Sequence, residues 1–304
     1  MTTKNILFAL LFFTFLGCNA DSDINRKEEL QSPVVRFGGR ITQILPSKAI
    51  INEEVLPDNS QVGIYAWGHH KDDGEVNTQI RGDLNNAIYT KITGNDQLSA
   101  SADAHYPLNP DTLLNIYAYY PYTAVANDAP LRIPFDLNRQ EDVMWATPIL
   151  NQSKSAENPL ITLTFNHILS AITLKFKKAD DIKEEMILES ISMENYDPEI
   201  FLNVQDGKLS QTASGTAFTM IRDLQIPVTS AEQTVLTDFM LCPVEKPVFI
   251  VRLSGKDYRI ESAKPFMAGK KQTYEFTIMA KDIVVSGSIT PWGDGGTSNE
   301  IVYF

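Results

Sequence analysis

Cysteine is nearly missing from this 304-residue chain, which has two, Cys18 and Cys242. With Cys18 consumed in the way argued below, one thiol is left, and an intramolecular disulfide is excluded. Cys242, in the run MLCPV, reads as a small buried hydrophobe. Histidine is almost as scarce, with four residues, at 69, 70, 105 and 167. No HExxH, CxxC or paired Cys/His spacing accompanies them, so the sequence implies neither a metal site nor a cofactor. GxSxG and P-loop patterns are missing too, and GGRIT and GDGG are isolated glycine turns. The run WGDGG (Trp292 to Gly296) lacks the carboxylate ladder of a calcium loop. Acidic residues are plentiful, yet nothing singles out two of them as a glycosidase pair. The chain therefore carries no enzyme signature. Positive charge is also in deficit, with 26 Lys and Arg against 38 Asp and Glu, a net charge of -12. Nucleic-acid binding needs a basic face, so that class drops out. The balance suits an exported, surface-exposed protein.

What is present begins with a targeting segment. Lys4 supplies a positive start, and Ile6 to Leu16 is an apolar run too short to span a bilayer comfortably. It closes in FLGC (Phe15 to Cys18), which resembles a bacterial lipobox, with Phe15 where Leu is usual. Cleavage would follow Gly17, and Cys18 would carry the lipid. Several acyl chains on one residue anchor stably, because each buried CH₂ contributes about 0.8 kcal/mol. The next stretch, NADSDINRKEEL, is polar and without periodicity, and reads as a tether. Asp21 and Asp23, close behind the cysteine, resemble the surface-export signal of Bacteroides-group lipoproteins. The address that follows is the outer face of the outer membrane.

The whole chain is 43% hydrophobic and 21% charged, enough for real cores in one large domain or two ordinary ones. From Pro33 it reads as short strands and turns. VVRFGGRITQI gives a first strand with a break at Gly38-Gly39. QVGIYAWG places Val62, Ile64 and Ala66 on one face and Tyr65 and Trp67 on the other. HHKDDGEVN reads as a loop, so His69 and His70 are expected exposed beside Asp72 and Asp73. TLLNIYAYYPY is a strand stopped by Pro121, and LRIPFDLNRQ a turn-rich connection. Asp111-Thr112-Leu113 resembles the Asp-Ser/Thr-aliphatic motif of Bacteroides-group O-glycosylation, with Thr112 the acceptor. The longest alternation runs through Ile161, Leu163, Phe165, His167 and Leu169. Its apolar phase then flips to Ile172, Leu174 and Phe176, which means a bulge or a strand crossing between sheets. His167 sits in the apolar phase and reads as a neutral, hydrogen-bonded core histidine. LQIPV, TDFMLCPV, PVFIVRLS, DYRIES, QTYEFTIMA and DIVVSGSI continue the pattern. Only DDIKEEMILESI allows a helical turn or two, with MILESISM equally strand-like. Many short strands without long crossover helices predict an all-β fold of antiparallel sandwiches.

In order, the lipobox, VVRF, VGIYAWG, NNAIYT, YAYYPY, QEDVMWA, TFNHILSAITLKF, FMAGKKQTYEFTI and ITPWGDGG resemble the fimbrillin-like lipoproteins of the Bacteroides group. These are the subunits of type V pili. The resemblance covers nearly the whole chain after Cys18, and DVMWA followed by LTFNHILSAITLKF is its most specific part. It implies two tandem transthyretin-like antiparallel β-sandwich domains with the seam between QEDVMWA and LTFNHIL. The divisions expected are a signal peptide at 1–17, a tether at 18–32, and domains at 33–156 and 157–304.

The resemblance also implies a mechanism. An arginine-specific protease removes the N-terminal segment with its first strand, and a strand from a neighbouring subunit fills the groove. The segment would run from Cys18 to about Arg40, with Arg36 and Arg40 the candidate processing sites and Arg26 a tether alternative. The closing run EIVYF (Glu300 to Phe304) is a candidate donor strand, or an edge strand of its own domain. The implied role is a stalk, tip or accessory pilin serving adhesion, in the outer membrane first and in the fimbrium after processing. Its partners would be other fimbrial subunits, membrane lipid through Cys18, and a host protein or glycan. The competing reading is a surface lipoprotein that binds glycan or host protein and never polymerises. Trp67, Trp145 and Trp292 would then be sugar-stacking candidates, although each lies in a motif that favours the core.

Overall fold

The computed structural model describes residues 32–42, 55–73, 79–124, 132–155, 157–212, 215–279 and 283–291. Gly17, Cys18, Arg26, Trp292 and EIVYF lie outside the described residues. Apart from two 3-10 turns, Gly82–Leu84 and Leu137–Arg139, the regular structure described is all strand.

The first strands are β1 (Phe37–Ile41), β2 (Gln61–His70), β3 (Gln79–Ile80), β4 (Ala87–Lys91) and β5 (Gln97–Ser99). There follow β6 (Thr112–Tyr120), β7 (Ile133–Asp136), β8 (Met144–Ala146), β9 (Ile149–Gln152) and β10 (Ile161–His167). The second half holds β11 (Ser170–Lys178), β12 (Ile187–Met193), β13 (Glu199–Leu202), β14 (Leu209–Gln211), β15 (Phe218–Ile221) and β16 (Ile226–Pro227). It closes with β17 (Gln233–Leu241), β18 (Val248–Leu253), β19 (Lys256–Glu261), β20 (Lys270–Ile278) and β21 (Ile283–Pro291).

A nine-stranded sheet runs β3-β2-β4-β5-β1-β10-β8-β6-β9, and β2 also pairs with β6. That extra pairing closes β2, β4, β5, β1, β10, β8 and β6 into a ring. Val62, Ile64, Ala66, Leu114, Ile116, Leu163 and Phe165 fill its interior. The opposite faces of β2 and β6, with Tyr65, Trp67, Tyr117 and Tyr119, belong to the core shared with the second half. Both faces of β2 are thus buried, which is why apolar residues occupy nearly every position. In the second half, a four-stranded sheet (β17-β11-β20-β21) and a five-stranded sheet (β15-β12-β18-β19, with β16 beside β12) share one core. Phe176 and Phe276 stack at 4.6 Å, and Phe249 meets Phe276 edge-on at 5.2 Å. Each such ring contributes roughly 1.5–3 kcal/mol by leaving water.

The phase flip marks a change of sheet. β10 pairs with β1 and β8 in the ring, whereas β11 pairs with β17 and β20. The crossing lies at Ile168–Leu169. Some expectations need correction. Gly38 and Gly39 lie inside β1 and do not break it. The connection LRIPFDLNRQ contains β7, which pairs with β13 of the second half from Ile133↔Leu202 to Asp136↔Glu199. His69 is buried in β2 and not exposed in a loop. Of the two alternatives for MILESISM, the strand holds, with Ile187–Met193 forming β12.

Further ties cross between the halves. The Trp145 indole donates to the Val204 carbonyl at 2.7 Å, and its ring lies where a Cβ on Gly207 (φ +71) would sit. Gln140 accepts from the Met240 N–H at 2.8 Å and donates back to the Met240 carbonyl at 3.3 Å.

Candidate functional site

Segment 33–42 belongs to the first described stretch of chain, and its strand β1 lies inside the ring sheet. β1 runs parallel to β10, from Phe37↔Ile161 to Ile41↔Phe165, and antiparallel to β5 through Phe37↔Leu98 and Gly38↔Gln97. Its backbone is bonded on both sides. Ile161 N–H donates to the Arg36 carbonyl at 2.8 Å and Thr42 N–H to that of Phe165 at 2.9 Å. On the other side Gly39 N–H donates to Asp96 at 2.8 Å, Val35 N–H to Ala104 at 2.7 Å, and Tyr106 N–H to Pro33 at 3.0 Å.

The period of two decides which side chains enter the core. Val35, Phe37, Gly39 and Ile41 point inward, and Phe37 is 1% exposed, meeting Tyr89 edge-on at 5.1 Å. Arg36 and Arg40 are exposed, and Arg40 Nε reaches Thr164 Oγ1 at 3.4 Å. The two arginines are not equivalent. A cut after Arg36 leaves β1 attached to the body of the chain. A cut after Arg40 severs Phe37–Arg40 together with everything upstream. Withdrawal of that piece exposes Phe37 and Val35 pockets and frees the facing edges of β10 and β5.

The remaining expected positions scatter. Thr112 opens β6, half-buried and paired with His70, while neighbouring Asp111 is bound by Lys71 at 2.6 Å. Trp67 is 6% exposed, with Tyr117 edge-on to it at 5.1 Å, so it offers no face to a sugar. Trp145 uses its N–H on Val204. His70 Nδ1 lies 3.7 Å from Asp72, and no group of three or more metal ligands occurs among the described residues. Cys242 is buried, and burial pushes its thiol up to about 12, which makes it inert at neutral pH.

One pairing was not foreseen. His167 Nδ1 meets Asp142 Oδ2 at 2.8 Å, with both side chains almost fully enclosed. Burial pushes the Asp142 carboxyl up, against the pull of His167 and Lys271. Asp142 belongs to the DVMWA motif, but nothing in its spacing from His167 marks the contact.

A family model described as fimbrillin-like matches residues 49–292. Among solved structures, a candidate cell adhesion protein from Bacteroides ovatus is 18% identical with a TM-score of 0.56, over 86% of this chain and 98% of its own. A second, from Bacteroides uniformis, is 17% identical with a TM-score of 0.55, over 85% and 98%. A fimbrial protein from Bacteroides vulgatus is 12% identical with a TM-score of 0.52, over 84% and 99%. At these identities the structures are alike in fold. No curated protein matches the chain.

Proposed function

The chain belongs to the fimbrillin-like family, and from that premise we propose that it is a structural subunit of a type V-like fimbria. It is exported as a lipoprotein acylated on Cys18 after cleavage behind Gly17, and displayed on the outer membrane. Proteolysis at an arginine then releases its first strand. A strand from another subunit takes the vacated place, and the polymer serves adhesion. Its two domains are residues 33–156 and 157–304, and the chain changes sheets shortly after the division, at Ile168–Leu169. Thr112, at the start of β6, is the O-glycan acceptor of this reading.

The observation that carries the proposal is the placement of β1. It is an N-terminal strand, bonded on both sides in the middle of a sheet, with an exposed arginine at its head and another inside it. A strand at a sheet edge is paired along one side only, so its loss costs less pairing. Loss of this one leaves two free edges and an apolar trough, which is the condition for strand addition. Between the candidates, Arg40 is the productive site, because only that cut takes Phe37 out.

The test is limited digestion of the protein from Asn19 onward with an arginine-specific protease, read by N-terminal sequencing and unboiled gels. A new N-terminus at Ile41 and a detergent-resistant ladder are expected. Arg40→Gln should abolish the ladder, and Arg36→Gln should keep it. A compact monomer that stays uncut, or a ladder unaffected by Arg40→Gln, would overturn the reading in favour of a non-polymerising surface lipoprotein.

A further inference from the structure

A crevice of about 190 Å³ opens beside the seam, where three parts of the chain converge. Tyr122 comes from just past β6, Phe135 and Asp136 from β7, Arg139 and Glu141 from the turn behind it, and Glu199 from the start of β13. Each part is fixed by bonds of its own. Thr123 N–H donates to the Tyr119 hydroxyl at 3.3 Å, that hydroxyl donates to Asn86 Oδ1 at 2.7 Å, and Asn86 Nδ2 donates back to the Thr123 carbonyl at 3.1 Å. Tyr122 N–H donates to the Gln61 carbonyl at 2.9 Å. Asp136 pairs with Glu199 across β7 and β13, and Leu137 N–H donates to the Pro198 carbonyl at 2.9 Å. The crevice is therefore preformed, as ligand sites usually are.

Its lining mixes aromatic and charged groups, and the charges are unspent. Phe135 is buried, edge-on to Tyr119 at 6.1 Å, and Tyr122 is half-buried. Asp136 commits Oδ1 to Asn138, but Arg139, Glu141 and Glu199 are exposed, and none of these three is in an ion pair among the described residues. One guanidinium among three carboxylates would collapse onto a partner if it could reach one; here the backbone holds them apart around the opening. The Tyr65 phenol, close enough to Tyr122 to feel its charge, is buried with a hydroxyl that has no hydrogen-bond partner among the described residues. From this lining we infer that the crevice binds one neutral hexose ring, as the end of a glycan. Sugar hydroxyls both donate and accept, so they need carboxylates and a guanidinium within the breadth of one ring. The C–H face of the ring needs the apolar body of an aromatic side chain. Three carboxylates against one guanidinium repel an acidic sugar, and a cation would leave the guanidinium facing it. The volume is below the roughly 300–1,000 Å³ of clefts that take drug-sized ligands, so it has room for a single ring. The site lies on the uncut protein and does not depend on strand exchange; it gives the adhesive reading a ligand class.

The uncut protein from Asn19 is mixed with the methyl glycosides of glucose, galactose, mannose and N-acetylglucosamine and followed by saturation-transfer NMR. At least one should receive transfer, with the millimolar affinity of so small a ligand. Glu199→Gln and Arg139→Gln alter exposed side chains and should keep the parent's urea midpoint, yet each should weaken binding at least about fivefold. Tyr122→Ala should abolish the transfer. Methyl glucuronide should bind more weakly than the best neutral sugar. Transfer to none of the four, or transfer unchanged in all three variants, would overturn the assignment. Binding of N-acetyl-lysine amide that Glu199→Gln abolishes, with no sugar bound, would give the crevice to a cation and overturn it as well. A protein that resists arginine-specific digestion leaves this site standing, and loss of the site leaves strand exchange standing, so the two readings fail separately.

Discussion

His167 and Asp142 meet where the chain passes from the ring sheet into the second half, and two more charges stand beside them. Lys271 of β20 pulls on Asp142 and pairs with Asp238 of β17 at 3.3 Å. Burial makes the ionised Asp142 expensive, and the His167 ring is its partner in contact. Removing one partner of a buried pair leaves the other uncompensated, at a cost of about 3–5 kcal/mol. His167→Leu should therefore destabilise strongly at neutral pH. The pH dependence has a defined sign. A carboxyl raised in the folded state contributes stability that is complete below its unfolded value, about 3.9, and is lost as pH rises through the raised value. Without His167 that value rises further. The deficit of His167→Leu should be smallest near pH 4 and grow towards neutrality, as read from urea midpoints at each pH. In the Asp142→Asn, His167→Leu double variant the deficit should lose that slope. A deficit that is largest in acid would refute the account.

Strands repeat the same logic with a period of two. β19 guards its edge with Lys256, Asp257, Arg259 and Glu261, whereas β21 carries no charge from Ile283 to Pro291. Val284 is 40% exposed, and Val285 faces the core. Val284→Lys should change the stability of the protein by less than about 0.5 kcal/mol. Val285→Lys buries an unpaired ammonium and should prevent cooperative folding or cost several kcal/mol. Near-equal effects in parallel denaturant melts would mean that β21 does not hold this register. Alternation of this kind made β10, β11, β20 and β21 legible in the sequence, because each strand's own residues record which side is wet. β7 was not legible, since what makes it a strand is β13, more than sixty residues away in the chain. Gly38 and Gly39 misled for a related reason. Glycine usually interrupts a strand, and here two facing walls, at Leu160 and at Leu56, demand it. The arginines of the site came with the family resemblance, whereas the difference between them came from the register of β1 against β10. Asp142 and His167 left no local pattern at all, since only the fold brings them together.

At the scale of the molecule, the seam joins the halves by several independent means. β7 adds a strand from the first half to β13 of the second, Trp145 caps Val204, and Gln140 holds both backbone groups of Met240. The aromatic faces of β2 and β6 belong to the same apolar cluster as the core of the second half. Neither half can unfold without exposing that face, so the described residues should melt as one unit. Tryptophan fluorescence, with Trp67 and Trp145 both placed at the seam, should give the same urea midpoint as far-UV circular dichroism. The calorimetric and van't Hoff enthalpies should agree. Gln140→Ala leaves the Met240 N–H without its partner and should cost about 1–3 kcal/mol while keeping the transition single. Two resolved transitions in the parent protein would mean that the seam is weak, and a pilus built from such subunits would flex within each link. A single transition makes each subunit a stiff link. The joints that yield would then be those between subunits.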